Sequence, residues 1–221
     1  MRTAQSVYHR PAQQRYLVEA TGTFFLVALV CLSVMGGLAM WAPLVVGAGL
    51  SGLIYAGGPI SGAHYNPAVS IAFYLRGRLS GQDLWYYLTV QMIGGVLAAL
   101  VCQALFRDAD PLPGTVPAVR IAPALLAEFI GTLALCYVIL EVATTRRRAG
   151  NNYYGVAIGA TVMAGGYAFG TISGAMFNPS VALGSMIVGL AAFGHLWIYL
   201  AGTLAGGVAA ALIFLRVNRE P

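Results

Sequence analysis

The sequence predicts an all-α membrane protein with six transmembrane helices plus two re-entrant half-helices in an inverted repeat. Three observations carry that expectation. The 221 residues are 59% hydrophobic and only 9% charged, whereas a soluble domain carries about 25% charged residues. Several apolar runs exceed the roughly 20 residues that a helix needs to cross a bilayer. The chain also repeats itself in two aligned halves. A mean hydropathy of +0.77 leaves too little polar surface to face water on all sides. The 28 glycines agree, because small residues let membrane helices approach closely. A β-barrel is excluded, since its strands alternate over about 10 residues and these runs are longer and unbroken.

Taken in order, the spans fall at 16–38, 43–58, 83–106, 121–144, 152–170 and 195–216. The first lacks a small-residue cleavage site and reads as a retained helix rather than a signal peptide. Two shorter apolar segments, 66–75 and 178–188, each open with Asn-Pro. Neither is long enough to cross a core of about 30 Å, and Asn followed by Pro is a helix-start signal. Both therefore read as half-helices that begin inside the protein and return to a surface. The chain divides into an N-terminal tail (1–15), a first repeat (16–106), a connecting loop (107–120), a second repeat (121–216) and a C-terminal tail (217–221).

All twelve basic residues are Arg. A net charge of +5 in a soluble protein invites a nucleic-acid reading, but these arginines sit in short loops and tails. With the N-terminus inside, Arg2, Arg10, Arg15, Arg76, Arg78, Arg146, Arg147, Arg148, Arg216 and Arg219 are cytoplasmic, and only Arg107 and Arg120 are outside. That bias satisfies the positive-inside rule and places both termini in the cytoplasm. Short loops point to a bacterial inner membrane or another plasma membrane. Arg146-Arg147-Arg148 sets topology, with contact to anionic lipid as a compatible extra. Cys31, Cys102 and Cys136 each lie inside an apolar run, which argues against a disulfide framework.

The repeat is visible residue by residue. Glu19-Ala-Thr-Gly-Thr23 matches Glu128-Phe-Ile-Gly-Thr132. Gly58-Pro-Ile-Ser-Gly-Ala-His-Tyr-Asn-Pro-Ala-Val69 matches Gly170-Thr-Ile-Ser-Gly-Ala-Met-Phe-Asn-Pro-Ser-Val181. Gly94-Gly-Val-Leu-Ala-Ala-Leu100 matches Gly206-Gly-Val-Ala-Ala-Ala-Leu212. The offsets are 109, 112 and 112. Each half holds three spans, an odd number, so the second half enters the membrane upside down. Paired Pro/Gly-interrupted short segments then mark the functional centre.

Two such half-helices meet near the midplane, N-terminus to N-terminus. Irregular backbone at that depth survives only when buried in protein or lining a watery cavity. The loops 57–65 and 170–177 are expected to line it with carbonyls, while Asn66 and Asn178 cap their helices and offer side-chain N–H groups to the pore. Each helix N-terminus carries about half a positive charge. Two facing one constriction repel protons and other cations but not neutral molecules. A chance pair of caps does not explain a shared twelve-residue motif.

On these residues the chain resembles the major intrinsic protein family, the aquaporins and aquaglyceroporins, over about 16–216. Asn66-Pro67-Ala68 resembles the family's first Asn-Pro-Ala motif, and Asn178-Pro179-Ser180 resembles the second with Ser replacing Ala. The resemblance implies that Glu19 and Glu128 hold the re-entrant loops in place, that His64 sits at the pore mouth, and that the protein is a homotetramer with one pore per subunit. By the family's spacing the selectivity filter falls at Val46, Gly166, Ala175 and Val181. Most members have Arg at the position of Val181, so this filter is expected to be wide, apolar and without a fixed cation. Water, glycerol, urea, hydrogen peroxide and neutral metalloids, including methylated arsenicals, are the candidate solutes. Phe169, Tyr167, Phe177 and Trp41 are the aromatics able to narrow it.

The alternative is a secondary transporter with inverted repeats, which often carries intramembrane charges for ion coupling. Here Glu19, Glu128 and Glu141 have no basic partner within the spans. An enzyme is disfavoured, as H-E-x-x-H, G-x-S-x-G and clustered Cys/His ligands are absent. No cofactor, metal or nucleic-acid partner is expected. The partners are small neutral solutes, membrane lipid and further copies of the chain.

Overall fold

The computed structural model describes residues 10–107 and 119–218. Arg2, Arg219 and most of the connecting loop lie outside the described residues. Eight α-helices follow in chain order: α1 (Ala12–Met35), α2 (Ala42–Ser61), α3 (Pro67–Leu75), α4 (Gly81–Leu105), α5 (Ile121–Thr144), α6 (Tyr154–Ser173), α7 (Pro179–Ile187) and α8 (Leu196–Val217). Among the described residues, six are long and apolar enough to span a membrane. The nine-residue helices α3 and α7 are the half-helices.

Span boundaries move by a few residues, with one consequence for function. The expected ends of α2 at 58 and α6 at 170 are too early, since both helices run on to Ser61 and Ser173. Gly57-Gly58-Pro59 reads as a break, but Pro59 is accommodated in the last turn of α2. The helix stops only where Gly62 turns left-handed (φ 92°) and returns its N–H to Gly58. Gly174 (φ 87°) does the same for α6. The re-entrant loops are therefore four residues each, 62–65 and 174–177, rather than the longer 57–65 and 170–177.

Packing follows the repeat. α1 lies along α4, α5 along α8, and α2 crosses α6 between the halves. The matched Gly-Gly pairs explain how close these approaches are. A Cβ on Gly94 would fall 2.4 Å from the Ala20 carbonyl of α1, and one on Gly206 would fall 2.5 Å from the Phe129 carbonyl of α5. The second glycine of each pair faces the opposite half. Gly95 lies against Ser180 of α7, and Gly207 against Ala68 of α3. Each half-helix is thus held on the last span of the other repeat, and this exchange ties the halves together. Three Gly-xxx-Gly pairs lie in the second repeat, and of their glycines Gly155, Gly159, Gly202, Gly206 and Gly166 are close-packed. Gly170 differs: a Cβ there would meet nothing within 4 Å, and the residue lines the central cavity instead.

One end of the molecule gathers eight of the ten described arginines, leaving Arg107 and Arg120 at the other. There Arg15 of α1 meets Asp83 of α4 at 2.8 Å, and Asp83 also accepts from Tyr16 Oη and Ser80 Oγ.

Candidate pore

The two half-helices meet through their caps. Asn66 Oδ1 accepts from the Ala68 N–H and Asn178 Oδ1 from the Ser180 N–H, both at 2.9 Å. The other face of each amide crosses to the opposite repeat. Asn66 Nδ2 donates to the Phe177 carbonyl at 2.8 Å, and Asn178 Nδ2 donates to the Tyr65 carbonyl at 2.9 Å. One donor of each amide is therefore engaged across the pseudo-two-fold axis, and the second remains for the cavity that both Asn residues line.

Holding the carbonyls of Tyr65 and Phe177 in place requires unusual backbone. Ala63, Tyr65, Ala175 and Phe177 all have φ near +50°, a left-handed conformation that costs a non-glycine residue about 1–3 kcal/mol. Two devices hold it. The first is a buried carboxyl group: Glu19 accepts from Ser61 Oγ and from the N–H groups of His64 and Tyr65 at 2.7–2.9 Å. Glu128 accepts from Ser173 Oγ, Met176 N–H and Phe177 N–H at 2.7–3.0 Å. The second is a ring in a slot. A Cβ on Gly22 would fall 2.0 Å from the Tyr65 ring, and one on Gly131 would fall 2.0 Å from the Phe177 ring.

Sequence reasoning missed two members of this scaffold. Tyr87 Oη donates to the Ser61 carbonyl at 2.6 Å, and Tyr199 Oη donates to the Ser173 carbonyl at 2.8 Å. Their signal was present, for Leu84-Trp-Tyr-Tyr-Leu88 and Leu196-Trp-Ile-Tyr-Leu200 stand at the same offset of 112. The halves differ elsewhere. Gln91 Nε2 donates to Glu19 and to Ser70 Oγ, and His64 Nδ1 lies 3.1 Å from Ser70 Oγ. Thr203, Ala182 and Met176 take the corresponding places in the second half. His64 is a buried, hydrogen-bonded loop residue that also touches the cavity.

A single cavity of about 1630 Å³ runs the length of the molecule along this seam. Val46, Gly166, Ala175 and Val181 all lie on its wall. Val46 and Val181 are otherwise packed in protein, exposing 7% and 5% of their surface. At Gly166 the wall is backbone, and a Cβ there would fall 2.7 Å from Pro43 Cβ. Of the four aromatics able to close the pore, Phe177 is locked in its slot, and Phe169 packs edge-on against it at 6.0 Å between centroids. Trp41 does not reach the wall; Tyr167 does. None of the three cysteines lines the cavity. Glu141 lies 3.9 Å from Arg148, which stands in the turn beyond the end of α5 and outside the spans. Among the described residues no cluster of His, Cys, Asp and Glu is suited to hold a metal.

Residues 6–214 match the family described as "Major intrinsic protein". The chain is 35% identical to "Aquaporin NIP1-1" of Oryza sativa subsp. japonica, covering 96% of this chain and 77% of that protein. It is 34% identical to "Nodulin-26" of Glycine max, covering 96% and 80%. Its fold matches the aquaglyceroporin from Plasmodium falciparum with a TM-score of 0.80 at 22% identity, over 94% of this chain and 97% of that one.

Proposed function

The chain belongs to the major intrinsic protein family, and from that premise we propose a pore selective for small uncharged solutes through an apolar, cation-free filter. As a member it is a passive membrane channel for water and small neutral solutes such as glycerol, not an enzyme. The finer reading concerns which solutes pass. The observation that carries it is Val181, an aliphatic residue on the cavity wall where the family's usual filter places Arg. With Val46, Ala175 and backbone at Gly166, the filter offers few hydrogen-bonding groups and no fixed charge. Glycerol, urea, hydrogen peroxide and neutral metalloids fit such a wall better than it fits water alone. Its apolar character and its lack of a fixed charge support this reading.

Further assignments belong to the same proposal. Asn66-Pro67-Ala68 and Asn178-Pro179-Ser180 form the central cation barrier, and Glu19 and Glu128 position its loops. His64 stands at the mouth on the side of the arginines. The arginine-rich end faces the cytoplasm, as the positive-inside rule favours, in an inner or plasma membrane. The functional unit is a homotetramer, surrounded by lipid.

Stopped-flow light scattering on proteoliposomes tests the filter directly, with water, glycerol and urea compared for the parent and for Val181→Arg. The expected result is fast glycerol or urea flux in the parent and at least a tenfold loss of that flux in the variant. Unchanged glycerol and urea flux in the variant would sink the filter assignment.

A further inference from the structure

The charge lining the cavity is arranged in a way that the filter does not explain. Among the described residues, four formally charged side chains touch its wall, Arg10, Arg78, Arg146 and Arg148, and all four stand at one end. No Asp or Glu lines the cavity among the described residues. The opposite end is walled by apolar and backbone groups such as Met40, Pro43 and Leu190. The four arginines come from three places in the chain: the entry to α1, the turn after α3, and the three-arginine turn after α5. That convergence is a property of the fold rather than of one basic run.

Two described carboxyl groups stand near this end. Glu141 lies 3.9 Å from Arg148 and discounts one of the four, and it stands outside the cavity lining. Asp83 is held by Arg15, Tyr16 and Ser80. Arg78 is anchored by a 3.4 Å contact from its guanidinium to the Thr144 carbonyl, which fixes its charge at the mouth.

We propose that Arg10, Arg78, Arg146 and Arg148 form a cation-excluding mouth, so that this channel places at one vestibule the positive charge its filter lacks at Val181. The inference rests on the solute-channel reading. Like charges around an opening with low-dielectric walls focus the potential to several kT. A monovalent cation is then depleted at the mouth by about tenfold at low ionic strength. Neutral solutes do not feel the field, and their flux is unaffected. Because Arg10, Arg146 and Arg148 are exposed and Arg78 is half-buried, the exclusion is screened by salt and fades as the Debye length falls to about 3 Å at 1 M.

The test compares the parent with a Gln variant (R10Q, R78Q, R146Q and R148Q together) and a Lys variant at the same four positions. Each is reconstituted in proteoliposomes, and K⁺ flux and glycerol flux are measured at low and high ionic strength. Expected is a several-fold rise in K⁺ flux for the Gln variant at low salt, with the Lys variant matching the parent and the difference vanishing near 1 M. Glycerol flux reports separately on the solute-channel reading and stays within twofold throughout. Equal K⁺ flux in Gln and Lys variants at low salt overturns the proposal. If the Gln variant fails to assemble, the parent decides alone. Its K⁺ permeability must rise when an impermeant salt is added on the arginine side, and a permeability independent of that salt overturns the proposal equally.

Discussion

Glu19 and Glu128 are buried carboxyl groups whose partners are N–H donors of the re-entrant loops, the hydroxyls of Ser61 and Ser173 and, for Glu19, the Gln91 amide, rather than cations. That removes them as ion-coupling groups for a transporter and defines what each substitution does. In Glu128→Gln one acceptor oxygen becomes an NH₂ group facing the N–H of Phe177 or Met176. A buried donor without an acceptor costs about 1–3 kcal/mol, in a loop already holding two non-glycine residues at positive φ. The expected outcome is a lower melting temperature in detergent and reduced solute flux, with Glu19→Gln behaving alike. A variant with parental stability and flux would show that the loop holds its shape without the carboxyl group. The glutamates were legible in the sequence as a repeated pair. Tyr87 and Tyr199 repeat in the same way, but their role was not legible, because a tyrosine at a span's polar end has many structural uses, and only the contact with Ser61 or Ser173 distinguishes this one.

At the level of elements, half-helices α3 and α7 depend on glycine slots as much as on capping. Gly131 of α5 and Gly22 of α1 admit the rings of Phe177 and Tyr65, whose carbonyls receive the crossing bonds from Asn66 and Asn178. Adding one methyl at Gly131 puts a carbon 2.0 Å from the Phe177 ring, so the ring and its carbonyl must move. Gly131→Ala should therefore lower solute flux by at least tenfold in proteoliposomes and destabilise the fold by about 1–3 kcal/mol, in the range for overpacking. Gly52→Ala is the control, since nothing lies within 4 Å of its built Cβ, and it should retain parental flux. Equal flux from both variants would remove the ring-in-slot argument. Helix existence was readable from hydrophobic run length and from Asn-Pro starts. The end of α2 was not, because Gly57-Gly58-Pro59 carries a breaker signal that the last helical turn tolerates, and only the left-handed Gly62 stops the chain.

For the whole molecule the inverted repeat and the arginine mouth make opposite demands, and this separates their contributions. The sequence showed the repeat through its offsets, whereas the cavity's one-sided charge required the fold, since Arg10, Arg78 and Arg146 are far apart in the chain. On the proposed reading, the midplane barrier is shared by both halves. Asn66 and Asn178 bond reciprocally across the axis, and two helix N-termini, each worth about half a positive charge, face the same point. Replacing either Asn by Asp removes a donor from the opposite loop and adds a negative charge beside the path. At about 4 Å a unit charge attracts a monovalent cation by roughly 1 kcal/mol even at the dielectric constant of water, and by about 4 at an effective value of 20. Asn66→Asp and Asn178→Asp should therefore each raise K⁺ flux by about fivefold or more, and by similar factors. Charges buried at the midplane are screened far less than exposed ones, so this leak should persist near 1 M salt, where the effect of the mouth arginines disappears. K⁺ flux in proteoliposomes at two ionic strengths distinguishes the two barriers in one experiment. A leak confined to one Asp variant would mean that the halves do not share a common barrier, and the pore would then be selective at a site other than the meeting of α3 and α7.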